Sequence, residues 1–193
     1  YNFDKAEVIV SFGADFLGNW LNADYAKQYV TARNPKNGQM AKHYQLESTL
    51  SLTGSNADNR IQIKPSEQKG LLSNLFSALN GATADRRIAK LTNDLKNNTG
   101  KSIVVCNSND TEVQTLVNAI NNKLGNYENT MSLSNPSYLK QGNDVEVASL
   151  IKEMNAGKID ALITYSVNPS YTLQNAEAYN SGLAKVGLTI ATS

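Results

Sequence analysis

The sequence contains one cysteine and one histidine among its 193 residues. A single cysteine excludes an internal disulfide, and it excludes any iron–sulfur cluster that several cysteines of this chain would ligate. A single histidine, His43, leaves little for a zinc site or a Ser-His-Asp triad. The chain also lacks a Gly-x-Gly-x-x-Gly or Walker A pattern, so no generic dinucleotide-binding or P-loop function is indicated.

Strong net charge and long apolar runs are missing as well. The formal net charge of +1 produces no field that favours nucleic acid or an anionic membrane. No apolar run approaches the ~18 residues that cross a bilayer. The opening "YNFDKAEVIV" has neither a basic segment nor a cleavage-type motif, so we expect no signal peptide within it. We therefore expect no nucleic-acid partner and no direct membrane insertion by this chain.

What the sequence does contain is an alternation of strand and helix patterns. The runs "AEVIVSF" (6–12) and "SIVVC" (102–106) are typical of strands buried on both faces of a parallel sheet. Further strand patterns cover residues 42–52, 60–63, 159–165 and 188–192. Helical patterns cover residues 22–34, 66–79, 85–98, 110–125, 144–157 and 176–187, with Asn22 and Ser66 as possible N-caps.

These patterns predict an α/β fold with two Rossmann-like lobes, each built on a mainly parallel sheet flanked by helices. The small polar stretch "NGATAD" (80–85) is the predicted boundary, which separates a first lobe (1–80) from a second (81–193). The chain has no initiator methionine, opens almost directly on a strand pattern and stops on another. We therefore expect an interior fragment of a longer protein.

In such a fold, ligands bind just past the carboxyl ends of the strands. The loops at these positions are "GADFLGNW", "PSEQ", "NSND" and "SVNPSYTLQN". Gly13 would let a ligand approach the backbone, but a tight turn with Phe16, Leu17 and Trp20 in the core is the favoured interpretation. In "NSND", helix capping by Asn109 or Asp110 is favoured over anion binding.

The remaining reactive residue types give no catalytic set. His43 is expected to be half-buried or on the surface, and Cys106 to be a small core residue. The carboxylates Glu47, Asp58 and Glu67 alternate with basic residues and are expected to form a solvated or salt-bridged patch. The residues alone thus predict an architecture with well-placed loops and no identified chemistry.

Two segments, "VIVSFGADFLGNW" and "HYQLESTLSLTGSNADNRIQIKPSE", resemble the molybdopterin oxidoreductase family, which includes dimethyl sulfoxide reductase and formate dehydrogenase. The first resembles that family's strand and Gly-Ala-Asn-Pro-like loop, and the second its strand and Pro-Gly-Thr-Asp turn. "SIVVC", "LVNAINNKLGN" and "DALITYSVNPSYTLQNAEAYNSGLAKVGLTIA" resemble the next lobe of that family. The combination "SFGADFLGNW", "LTGSNADNR" and "NPSYTLQNAEAYN" is most similar to the large iron–sulfur subunits of bacterial alternative complex III.

The resemblance implies where a molybdopterin guanine dinucleotide would bind. The matching positions, treated as vestigial candidates, are Gly13, Asp15, Pro65, Ser66, Glu67, Gln68, Asn168 and Pro169. Ser66 adds a side chain where the family has glycine, Glu67 adds negative charge beside a diphosphate, and Gln68 lacks the carboxylate that accepts guanine N–H groups. Asp15 and Phe16 replace the Asn-Pro of the first loop, whereas Asn168-Pro169 keeps the family dipeptide.

The expectation is a non-catalytic scaffold that has lost the pterin site, within a periplasmic subunit of a membrane-bound respiratory complex that passes electrons from quinol to a cytochrome or oxidase. No cofactor is expected in this fragment, and iron–sulfur clusters are expected elsewhere in the parent. Two alternatives stay open. The first is an active molybdopterin oxidoreductase, and the second is a small-molecule-binding α/β module whose melting temperature rises with ligand.

Overall fold

A computed structural model describes residues 1–38, 40–134, 136 and 142–192. The chain divides into two compact units, Tyr1–Lys140 and Gln141–Ser193. The predicted α/β class is confirmed, since each unit contains a parallel sheet and helices. The predicted boundary near residue 80 lies inside unit 1 instead, because the strand at 102–106 pairs with the first strand of the chain and extends the same sheet.

Unit 1 is a four-stranded parallel sheet in the order β3-β2-β1-β4. Its strands are β1 (Val8–Phe12), β2 (Lys42–Glu47), β3 (Asn59–Gln62) and β4 (Ser102–Cys106). Its α-helices are α1 (Asp24–Ala32), α2 (Leu52–Ser55), α3 (Gln68–Leu79), α4 (Ala89–Asn97) and α5 (Thr111–Lys123). Short 3-10 turns cover Phe3–Lys5, Pro35–Asn37 and Pro65–Glu67.

Both faces of this sheet are buried, which explains the continuous apolar runs of β1 and β4. One face carries Val10 and Leu46 against leucines of α3 and α4, among them Leu72 and Leu95. The other face carries Ile9, Ile103 and Val105 under α1. An aromatic cluster of Tyr1, Phe3, Phe16, Trp20 and Tyr25 packs there. The core packing expected for Phe16, Leu17 and Trp20 is therefore confirmed.

Unit 2 is smaller and contains a two-stranded parallel sheet. Its elements are α6 (Asp144–Asn155), β5 (Ala161–Tyr165), α7 (Pro169–Thr172), α8 (Ala176–Leu183) and β6 (Leu188–Thr192). Helices α6 and α8 pack closely at Gly182, where an added Cβ would lie 2.9 Å from Met154 Cβ. Met154 and Tyr179 are buried, whereas every residue of β6 is exposed.

The helix starts show which capping predictions hold. Asp110 caps α5, since its Oδ1 accepts hydrogen bonds from the amides of Glu112 and Val113 at 2.8 and 3.3 Å. Ser66 does not cap α3, because a 3-10 turn covers residues 65–67 and the helix begins at Gln68. Asn22 lies two residues before α1, and its Oδ1 accepts from the Asp24 amide.

The outer side of β4 is closed by a side chain rather than by another strand. Asn121 of α5 is fully buried, and its amide pairs with the backbone N–H and C=O of Val104 at 3.1 and 2.7 Å. Asn126 Nδ2 donates to the same Asn121 oxygen at 2.8 Å. The amide of Asn121 thus replaces the pairing that a further strand would supply.

We predict that Asn121→Ala lowers the free energy of unfolding by about 2–3 kcal/mol, because it leaves both polar groups of Val104 unpaired in a buried site. Urea denaturation measures this difference. The matched control is Asn122→Ala, since Asn122 is the next residue of the same helix and is exposed. Equal stability of the two variants would contradict the assigned role of Asn121.

Candidate functional site

A cleft of about 280 Å³ lies at the carboxyl edge of the unit 1 sheet, where α/β proteins bind ligands. This volume is slightly below the ~300–1,000 Å³ that is usual for ligand pockets. The cleft is lined by Gly13, Asp15, Leu46, Glu47, Ser48, Thr49, Ser51, Ile63, Pro65, Gln68 and Asn107. Of the candidate residues, Gly13, Asp15, Pro65 and Gln68 thus meet at one cleft.

The Glu47 carboxylate closes one wall of the cleft and is 94% buried. It accepts hydrogen bonds from Gln45 Nε2, Ser51 N and Ser51 Oγ at 3.0, 3.2 and 2.6 Å, and from Arg60 Nε at 2.6 Å. Burial raises the pKa of Glu47, but the bonds from Ser51 and Arg60 outweigh burial and hold this pKa below its ordinary value. Glu47 is therefore an ionised structural group whose acceptor positions are filled.

Asp15 is likewise engaged inside the protein. Its Oδ1 accepts hydrogen bonds from the backbone N–H and the hydroxyl of Thr53 at 2.9 and 2.7 Å. The Thr53 hydroxyl oxygen in turn accepts from the Leu17 amide at 2.9 Å. Asp15 therefore joins the loop after β1 to helix α2, and this role explains an acidic residue at this position.

Gln68 fills the crevice between β1 and β4, where the order of the strands reverses. Its Nε2 lies 2.8 Å from the Phe12 carbonyl oxygen, 3.2 Å from Asn107 Oδ1 and 3.1 Å from Cys106 Sγ. Gly13 has a φ of +71°, and a Cβ added there would lie 2.8 Å from Asn107 Oδ1. Glycine at this position is explained by the tight turn against Asn107, without any ligand.

The backbone amides of these loops also have partners within the protein. The Gly13 amide donates to the Leu46 carbonyl at 2.8 Å, and the Asn107 amide donates to the Phe12 carbonyl at 3.1 Å. The Ala14 amide donates to Ser11 Oγ at 3.1 Å. A phosphate at a strand-to-helix turn is normally bound by free backbone amides. The amides of Gly13, Ala14 and Asn107 are not free for this role, because each donates within the protein.

Ser66 and Glu67 do not line the cleft. Glu67 accepts from the Lys64 amide at 2.8 Å and pairs with Arg87 at 3.0 Å. The Lys64 amide and then Arg87 lower the pKa of Glu67. Glu67 therefore stabilises the turn before α3 on the outside of the unit.

Asn168 and Pro169 lie in unit 2, beside a cleft of about 760 Å³ along the two-stranded sheet. Hydroxyl groups, the Asn168 amide and apolar side chains line this cleft, and in the described part of the chain no charged side chain does so. We give it less weight than the carboxyl-edge cleft despite its larger volume. The unit 2 cleft lies along a sheet whose strand β6 is exposed at every residue. In unit 1, by contrast, several polar side chains meet at one cleft.

Four residues around the carboxyl-edge cleft were not identified as site residues from the sequence: Glu47, Ser51, Thr53 and Asn107. The salt-bridged alternative predicted for the three carboxylates is confirmed, since Glu47 pairs with Arg60, Asp58 with Arg33 and Glu67 with Arg87, although Glu47 is buried rather than solvated. Position at the end of strands β2 and β4 was the one available signal for Glu47 and Asn107.

The expectations for the two single residues have different outcomes. His43 is fully buried, so its expected half-buried or surface position is wrong. Cys106 is buried at the end of β4, as predicted, and burial raises the pKa of its thiol.

Among the described residues no group of histidine, cysteine and carboxylate side chains could hold a metal ion. No helix in the described parts of the chain has the length and apolarity to span a membrane.

The polar side chains Asp15, Glu47 and Gln68 that line the cleft are hydrogen-bonded within the protein. Two carboxylates line it, and among the described residues no lysine or arginine does, so the lining offers a dinucleotide phosphate no cationic side chain. Comparison with known proteins adds no family: no protein-family model matches the chain, and no curated protein matches it.

We predict that Gly54→Ala lowers the free energy of unfolding by about 2–3 kcal/mol. A Cβ at position 54 would lie 2.0 Å from Glu47 Oε1, and this carboxylate is fixed by four donors. Chemical denaturation of the purified variant measures the loss.

The matched control for this substitution is Gly70→Ala. Gly70 is a glycine of α3 with no atom within 4 Å of the added Cβ. Its replacement should stabilise the protein by up to about 1 kcal/mol, because alanine is the better helix former. Two variants of equal stability would argue against a fixed Glu47.

Proposed function

We propose that this chain is a non-catalytic scaffold region of a molybdopterin-oxidoreductase-like subunit, in a quinol-oxidising respiratory complex of the alternative complex III type. In this proposal the region lies on the periplasmic side and contacts other subunits of the complex. Electrons travel through iron–sulfur clusters elsewhere in the parent protein. The resemblance of the sequence motifs supports the family, and the α/β fold is compatible with it.

The observation that supports the loss of the cofactor is that the polar groups lining the carboxyl-edge cleft are already hydrogen-bonded within the protein. A pterin dinucleotide would place a diphosphate near the loop after β1, and the acidic residue Asp15 of that loop lines the cleft. The amides of Gly13 and Asn107 are already bonded to backbone carbonyls. Bringing an anion there requires breaking these bonds and placing it beside a carboxylate, and each of these changes costs free energy.

The turn matched to guanine recognition argues in the same direction. Gln68 presents an amide that donates to Phe12 and Asn107, so its side chain is committed to the crevice. Glu67 is committed to Lys64 and Arg87 on the outer surface. Among the described residues of this turn, no carboxylate is therefore placed to accept both guanine N–H donors.

The rival proposal is an active enzyme with molybdopterin guanine dinucleotide in this cleft. That enzyme would need Gln68 to leave the crevice and Asp15 to release Thr53. We favour the scaffold because both changes disrupt contacts that hold the sheet edge, the first loop and helix α2 together.

The test is the cofactor content of the native protein, purified with its partners from the membranes of its host. We predict iron and quinol-oxidising activity in the purified complex, with molybdenum, tungsten and pterin absent by mass spectrometry and fluorescence. Stoichiometric molybdenum or tungsten with pterin would contradict the scaffold and favour the rival. A protein that purifies without iron or quinol oxidation would contradict the assignment to a respiratory complex.

A further inference from the structure

His43 lies in a sealed layer between the unit 1 sheet and helix α1. Its ring is fully buried, with centroids 5.3 Å from Phe16 and 5.4 Å from Tyr29. Nδ1 lies 3.1 Å from the oxygen of the Tyr29 hydroxyl, and this hydroxyl donates its hydrogen to the Asn56 carbonyl at 3.0 Å. Neither His43 Nε2 nor Gln45 Oε1 has a hydrogen-bond partner of normal geometry among the described residues.

A proton on this ring would place a cation where no free anion can pair with it. The charged groups that face His43 are Arg33 from α1, Asp58 from the segment before β3, and Glu47 from β2. Asp58 is held by both guanidinium nitrogens of Arg33 and also accepts from the His43 amide at 2.7 Å. Glu47 is already surrounded by four donors.

Burial is the largest cause that lowers the pKa of His43, to about 4. The Gln45 side chain and the two carboxylates act in the opposite direction, and Arg33 adds to the lowering. The ring is therefore neutral in the closed layer at neutral pH, whereas a solvated histidine titrates near pH 6.5.

We propose that His43 is an acid-sensitive latch: when its imidazole takes up a proton, helix α1 loosens from the sheet and the aromatic cluster beneath it is exposed. Tyr29 connects the two parts, since it belongs to α1 and its hydroxyl bonds to His43. Tyr25 of the same helix packs on Trp20 and Phe3 of the cluster. This device concerns unit 1 alone and does not depend on the proposed function.

The direction of the effect follows from linkage. The open state has the ordinary histidine pKa and the closed state the lowered one, so the closed state is fully stable above about pH 6.5. Its stability is lost as the pH falls from about 6.5 towards 4. At pH 5 the equilibrium for opening of α1 should be about 30-fold more favourable than at pH 7.5.

Hydrogen exchange of backbone amides measures this opening equilibrium directly. We expect the protection factors of α1 amides, corrected for intrinsic exchange rates, to fall about 30-fold from pH 7.5 to pH 5 in the wild type. In His43→Gln, which has no titrating group at this position, they should change little. The amides of α5 serve as an internal control and should keep their protection.

Three results would overturn the latch. The first is an equal fall in His43→Gln, which would assign the effect to carboxylates. The second is no fall in the wild type, and the third is an equal fall in α1 and α5, which would indicate global unfolding. Circular dichroism at pH 7.5 verifies that the variant folds. If it does not, His43→Phe replaces it, because Phe retains a ring and leaves the Tyr29 bond to Asn56 in place.

Discussion

The ionised, buried carboxylate of Glu47 is the interaction on which the carboxyl edge of the unit 1 sheet depends. It joins β2 to β3 through Arg60 and fixes the start of α2 through Ser51. Its Oε1 lies so near Gly54 that a Cβ added at position 54 would be only 2.0 Å away. A buried charge of this kind is stable only while its partners stay in place, so the loop that forms the cleft wall is fixed as well. The hydrogen bonds of the groups that line the cleft are thus part of the structure of the sheet edge.

Strand β2 is an inner strand of the unit 1 sheet, and it carries buried polar side chains on one of its faces. One of its faces carries Tyr44 and Leu46 into the leucine-rich core, and the other carries His43 against Tyr29 of α1 and Glu47 against Ser51 at the start of α2. Alternation of this type normally indicates a strand with one solvated face. In this protein the polar face is sealed by a helix, and its hydrogen bonds replace contacts with water. The acid sensitivity proposed for His43 arises from that same seal.

The sequence predicted the parts of the fold that local patterns determine. The apolar runs of β1 and β4 predicted buried parallel strands, and Asp110 predicted the start of α5. The domain boundary was wrong, because the pairing of β1 with β4 is a contact across about 90 residues that no local pattern reveals. The burial of His43 was missed because it depends on the packing of Phe16 and Tyr29 against its ring. For the candidate site residues, the sequence could predict only that they lie at the ends of strands. The hydrogen bonds of Asp15 with Thr53 and of Gln68 with Phe12 and Asn107 are visible only in the structure.

We expect that the carboxyl-edge cleft does not accept a guanine nucleotide, because the polar side chains Asp15, Glu47 and Gln68 that line it are hydrogen-bonded within the protein. The test is calorimetric titration of the purified chain with guanosine diphosphate. We predict no saturable heat of binding up to millimolar nucleotide. Saturable binding at one site with micromolar affinity, accompanied by a rise in melting temperature, would contradict it and reopen the cleft as a nucleotide site.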